Sequence, residues 1–300
     1  MTLVFSIGAC EGTGTSGDSG GKSAQTSSPL SPETYRATLA AVTAPINKAL
    51  AKLRAAGSIK GLAARVTAVE QAANQAVARL ERLAPPPGLA AEHARLTAAL
   101  RQFDGELRAV ENEVAGRDLC ASSSVRAQLG RSGAAAALRT AVAAMAAKAP
   151  GDRISLQLPA ARRDTTRRPS NGHFVRSGGR GGRGTLTIDN TSGSPDAVVT
   201  LAKGKRSIIS VYVRRKRKFK VTGINDGTYK VFYVRGTDWD DKARWFAREC
   251  EFQRFDDTFK FRTITTATQI RWDTWEITLH PVVGGKASTS DVDPGDYPDT

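Results

Sequence analysis

Histidine, cysteine and methionine are scarce, at three, three and two residues of 300. His93, His173 and His280 lie far apart in the chain, and no Cys-x-x-Cys pair or Cys/His cluster exists. That spacing excludes a structural zinc site, which needs four closely grouped N or S ligands. So few cysteines also exclude a dense disulfide framework. No stretch approaches the ~20 consecutive apolar residues that span a bilayer. A Gly-x-Ser-x-Gly elbow, a His-Glu-x-x-His pair and a Ser-x-x-Lys box in a credible context are missing too. These residues indicate no enzyme, no cofactor and no metal.

Two features mimic sites. Gly21-Lys22-Ser23 ends like a phosphate-binding loop, but the position five residues before Gly21 holds Ser16 where the first glycine belongs. Asp238, Asp240 and Asp241 form an acidic group, with Asp256 and Asp257 further on. The group lacks the Asp-x-Asp-x-Asp-Gly order of a calcium loop, and Arg235, Lys242 and Arg244 stand nearby to neutralise it.

Positive charge is abundant: the chain has 44 Lys and Arg against 29 Asp and Glu, a net charge of +15. Residues 151–183 carry 8 basic and 2 acidic side chains, so the excess concentrates in this short middle segment. Such a balance points to polyanions: anionic lipid, wall polymer or nucleic acid. The densest run is Arg214, Arg215, Lys216, Arg217, Lys218 and Lys220. On a strand end it would deter edge-to-edge pairing, attract an anionic partner, or both.

At the start, a short apolar run over residues 2–7 closes on small residues and Cys10. This is the pattern of a secretory cleavage site. Ile7-Gly8-Ala9-Cys10 resembles the lipobox of bacterial lipoproteins, which implies lipidation at Cys10. No basic residue precedes the apolar run, so the expectation is a true start upstream of Met1. Residues 1–9 then read as a truncated signal, and the Gly/Ser/Thr-rich residues 10–30 as a tether. Lipidation of Cys10 leaves Cys120 and Cys250, either a disulfide or two small buried hydrophobes.

Residues 31–150 carry a helical period. Ser31-Pro32-Glu33 is a start signal, and Pro45 is expected to kink or split the first helix. Leu62, Val66, Val69, Ala73, Ala76, Leu80 and Leu83 then alternate at spacings of four and three. Leu96, Leu100, Phe103, Leu107, Val110 and Val114 repeat that alternation, and Leu138, Val142 and Met145 mark a last, Ala-rich helix. Three or four helices in an antiparallel bundle are expected. His93 falls on the same stripe as a boundary residue.

Residues 151–183 read as a flexible basic linker, whose "RSGGRGGRG" run resembles Arg-Gly-rich nucleic-acid-binding segments. From residue 184 to 283 the period becomes two, in seven or eight short runs that suggest an antiparallel β-sandwich. Residues 284–300 read as a disordered acidic tail. Trp239, set among acids, is the tryptophan expected at the surface as a partner platform. The fold class expected is therefore α + β, with bundle and sandwich as separate domains.

The lipobox-like start, Ala-rich helices and β-rich C-terminal part together resemble envelope lipoproteins of high-GC actinobacteria. That resemblance implies a lipid-anchored protein on the outer face of the cell membrane, serving as a non-enzymatic binding or scaffold module. A nucleic-acid-binding protein using 162–183 and 214–220, and a wall hydrolase with an unidentified site, are the alternatives. Nucleic acid is disfavoured because export removes a protein from most of it.

Overall fold

The computed structural model describes residues 28–56, 59–148, 154–280 and 287–298. Cys10, the lipobox-like residues and most of the tether lie outside the described residues. Among those described are five helices: α1 (Pro32–Arg54), α2 (Ile59–Leu80), α3 (Ala90–Ala115), α4 (Ser122–Arg131) and α5 (Gly133–Lys148). The Ser31 hydroxyl accepts from the Thr34 amide and caps α1. Pro45 does not split α1, which runs on through it. Val42, Ile46, Leu50 and Leu53 are buried on both sides of the proline, so packing holds both halves in register.

Every expected α2 and α3 position that lies within those helices is nearly inaccessible, from Leu62 to Leu80 and from Leu96 to Val114. Together with Leu138 and Met145 of α5 they form one core. His93 is buried inside it rather than at its boundary. One ring nitrogen pairs with the Tyr35 hydroxyl at 2.8 Å and the other with the Leu80 carbonyl at 3.0 Å. Burial pushes its pKa down, so the ring is held neutral.

The segment after α5 is not a free linker. Ile154 is buried in the helical core, and Leu156 and Leu158 pack against it, an alternation of period two. Asn47 donates to the Ser155 carbonyl at 2.6 Å and accepts from the Gln157 amide at 2.8 Å, while Arg139 donates to the Pro159 carbonyl. Residues 154–160 are thus an extended strap laid across α1, α4 and α5. At Gly130 a Cβ would sit 2.2 Å from the Ala160 carbonyl oxygen, so the strap's approach requires glycine there.

Eleven strands follow among the described residues: β1 (Phe174–Ser177), β2 (Arg180–Asp189), β3 (Asp196–Lys203), β4 (Arg206–Val213), β5 (Lys218–Ile224), β6 (Gly227–Asp240), β7 (Trp245–Phe261), β8 (Thr263–Thr265), β9 (Ile270–Trp272), β10 (Thr274–Thr278) and β11 (Thr289–Asp291). They form a six-stranded sheet in the order β1-β4-β3-β6-β7-β11, a three-stranded sheet β10-β2-β5 and the β8–β9 hairpin. Pairing is antiparallel except between β10 and β2, which are parallel. That departs from the all-antiparallel expectation, because the chain leaving β7 turns through β8–β9 and re-enters at the edge of the smaller sheet.

Two further expectations are corrected. Ordered strands begin at Phe174, so the Arg-Gly-Gly run is part of β1 and β2 rather than linker. A Cβ on Gly182 would lie 2.3 Å from the Ile224 carbonyl oxygen; the glycines admit β5 and Phe261 at close range. Within the acidic tail, β11 pairs with β7, Val292 is buried, and Tyr297 packs edge-on to Phe232 and Phe252.

The six-stranded sheet is covered on both faces. Ala197, Val199 and Leu201 of β3 join Leu186, Val221 and Ile277 of the smaller sheet in one core. Val198 and Ala202 turn the other way, into a third cluster with Ile59, Cys120, Trp239, Phe246 and Cys250. This cluster touches the helices, where Cys120 and Cys250 are joined as a disulfide. The Cys120 amide donates to the Ala247 carbonyl at 2.8 Å and the Cys250 amide to the Arg117 carbonyl at 3.0 Å.

Candidate functional site

The basic run falls largely on the turn between β4 and β5, and its backbone is pinned from beneath by a buried carboxylate. Asp196, at the start of β3, accepts two hydrogen bonds from the Arg168 guanidinium, at 2.6 and 2.7 Å. It also accepts from the Tyr212 hydroxyl at 2.5 Å and from the Arg215 amide at 2.8 Å. Burial alone would raise its pKa, but the Arg168, Tyr212 and Arg215 hydrogen bonds outweigh it and hold the carboxyl below its usual range. Burial, then the same carboxylate, pushes the Tyr212 phenol far up, so it stays protonated as a donor.

The basic side chains divide into two kinds. Arg214 is a structural clamp: its guanidinium donates to the Pro169 and Arg168 carbonyls at 2.8 and 2.9 Å. Lys218 is bound to Asp189 at 2.7 Å and Glu276 at 3.4 Å. Arg215, Lys216 and Arg217 are exposed, and their side chains have no hydrogen-bond or ion-pair partner among the described residues. Together with Arg168 and Arg214 they line an open concavity of about 380 Å³. Lys216 takes a positive φ of 60°, and its amide donates to the Asn190 carbonyl at 2.9 Å, which locks the tip. Lys220 is exposed further along β5.

A second carboxylate, Asp238, lies beside the first. It accepts from the Arg167 amide and guanidinium, each at 2.8 Å, and from Thr165 at 3.0 Å. Burial raises its pKa, and the Arg167 hydrogen bonds more than reverse that, leaving it lowered. Ser123 of α4 donates to Asp240 at 2.5 Å. The acidic group is thus met by Arg167, which pairs with Asp238 and Asp240, and by the Ser123 hydroxyl, while Arg235 pairs with Glu251 instead. A cavity of about 400 Å³, lined by Arg168, Asp196, Arg215, Asp238, Glu249 and Glu251 among others, opens between the two carboxylates.

Trp239 is not at the surface. Only 2% of it is exposed, and it packs edge-on to Tyr212 and Phe246. Its indole N–H donates to Asp241 at 2.6 Å. The exposed tryptophans are instead Trp272 of β9 and Trp275 of β10. Arg167 and Arg168 of the basic segment are consumed by Asp238 and Asp196.

No family model, curated protein or solved structure matches this chain.

Proposed function

We propose that the protein is a lipoprotein of the cell envelope, anchored through Cys10 on the extracytoplasmic face, with its helices as a bundle and its two larger sheets as a β-sandwich. In this reading it is a non-enzymatic binding module for a phosphate-bearing wall polymer. One observation carries the binding surface: Arg215, Lys216 and Arg217 stand free on a turn whose backbone is fixed by Asp196 and Asn190. A fixed turn presents its charges without losing much backbone entropy on binding. The Cys120–Cys250 disulfide supports the location, since such bonds persist in oxidising compartments. The nucleic-acid alternative rested on 162–183 and 214–220, and the first of these loses its loose Arg-Gly run to β1 and β2.

The test uses the full chain carrying Cys10→Ser, titrated with a polyol-phosphate wall polymer at low and high salt. Replacing Arg215, Lys216 and Arg217 by Gln should weaken binding by about ten-fold or more at low salt, and 1 M salt should suppress what remains, because the Debye length falls to about 3 Å. Melting should not change, since these side chains are exposed and make no hydrogen bond or ion pair among the described residues. Equal binding by both proteins would reject the turn as the surface. For the anchor, the Cys10 chain with a complete export signal should incorporate a labelled fatty acid, and Cys10→Ser should abolish that incorporation.

A further inference from the structure

The two ends of the strands differ sharply. At one end lie Asp196, the basic turn, Trp239 and the contacts with the helices. At the other lie Gly184, Ile224, Gly227 and Phe261, brought together by the registers of β2 with β5 and of β6 with β7. This second end carries the β8–β9 hairpin and holds the large exposed hydrophobics of the described residues: Ile264 is 54% exposed, Ile270 43%, Trp272 47% and Trp275 38%. Isolated exposed hydrophobics are ordinary, but here four fall within the twelve residues from Ile264 to Trp275.

The hairpin exposes a large apolar side chain on each face. Thr263 pairs with Trp272 and Thr265 with Ile270, so Ile270 and Trp272 share one face, while Ile264 and Arg271 take the other. Such an element suits insertion into a medium that surrounds it more than docking of one flat face. Around it, residues 177–184, 203–206, 224–228 and 260–275 supply eight Lys and Arg side chains and two carboxylates, Asp226 and Asp273. Both carboxylates are already engaged. Asp226 accepts from the Thr263 amide and hydroxyl at 2.8 and 2.9 Å, and Asp273 pairs with Arg262 at 3.2 Å. Arg183 lies 6.0 Å from the centre of the Trp272 ring, and Lys203 lies 4.7 Å from that of Tyr229.

We infer that this end of the sheets is a membrane-contact surface, with Ile264, Ile270, Trp272 and Trp275 entering the headgroup region of an anionic bilayer and the surrounding cations meeting its phosphates. Trp272 suits that depth, with an apolar ring and a polar N–H; Trp275 offers its ring edge, its N–H being held by the Lys260 carbonyl at 2.9 Å, and the ring of cations adds attraction to anionic lipid. The inference depends neither on Cys10 nor on the basic turn, so it can fail while the wall-polymer reading stands, and the reverse.

The experiment again uses the full chain with Cys10→Ser, so that no acyl chain contributes. Vesicles of phosphatidylcholine alone, and of phosphatidylcholine with phosphatidylglycerol, are compared by co-sedimentation and tryptophan emission. Binding to the phosphatidylglycerol vesicles is expected, with a blue shift and quenching by lipids brominated on their acyl chains. Ile270→Ser with Trp272→Ala should lower partitioning by about ten-fold or more, because burial of a single Ile-sized side chain already shifts an equilibrium by about that factor. Both residues are exposed, so circular dichroism and melting should match the parent. As a second variant, Arg183→Gln with Arg271→Gln should reduce binding only to the anionic vesicles. Three outcomes would overturn the inference: no binding, binding without quenching by brominated chains, or binding lost with the Gln turn variant but kept by the hairpin variant. A self-association that Trp272→Ala abolishes would likewise overturn it, by assigning the patch to a second copy.

Discussion

Asp196 links three parts of the chain through one carboxylate: Arg168 from the segment before β1, Tyr212 from β4 and the Arg215 amide from the turn. Its folded pKa lies below the unfolded value, which for Asp is about 3.9. Its stabilisation is therefore fully present above that unfolded value and is lost as the pH falls through the lower, folded one. Asp196→Asn should cost about 2–4 kcal/mol at pH 7, less than the ~3–5 of a fully buried pair because Arg168 is one-third exposed. Chemical denaturation at several pH values from 7 to 3 measures it. The variant's stability should fall less steeply with acid than the parent's, though some slope stays, because Asp189, held at about 2, still titrates. An unchanged pH profile would show that Asp196 does not hold the turn. At this scale the sequence misled over Trp239 for a definite reason. The acids beside it are neutralised by Arg167, some 70 positions upstream, and no local pattern announces such a partner.

At the scale of elements, the Arg-Gly-Gly run behaves as a strand whose glycines are set by neighbours. Gly182→Ala should therefore destabilise by about 1–3 kcal/mol, the usual cost of forcing atoms into an occupied space. In a disordered segment the same change would be silent, so denaturant midpoints of the two proteins separate the cases. The helical faces were legible because Leu, Val and Ala recur at spacings of three and four where one core lies on one side. The strand runs from Thr185 to Phe252 were legible for the corresponding reason, a period of two between clear turn residues. The strap was harder to see. Ile154, Leu156 and Leu158 alternate, but only three times, ahead of four arginines that dominate the composition. β11 was hidden for want of length: three residues in an acidic tail pair with β7 through backbone groups that leave no mark on side-chain pattern.

For the molecule as a whole, the disulfide joins positions 130 residues apart and fastens the helices to β7. A loop of that length corresponds to about 4–5 kcal/mol of lost chain entropy in the unfolded state, and native bonds typically deliver about 2–4. Reduction, or Cys120→Ser with Cys250→Ser, should lower the melting temperature accordingly. The fold itself should survive, because the backbone pairing of 117–120 with 247–250 does not depend on sulfur. Non-reducing peptide mapping of the exported protein should find one Cys120–Cys250 peptide and no free thiol at either position; two alkylatable thiols would refute the staple.

The three apolar clusters also impose an order of assembly. The helical core draws only on residues between Leu30 and Leu158, so it is complete in sequence before any strand has been made. The core between the two larger sheets closes only when Leu279 arrives. The third cluster spans from Ile59 to Tyr297, almost the whole described chain, and is the last for which all parts exist. For a chain that emerges N-terminus first, the helices form a finished platform on which Cys120 waits for Cys250. The C-terminal residues around Val292 and Tyr297 then act as the closing latch. A chain truncated before them keeps its first core entire and leaves one face of β6 and β7 partly uncovered.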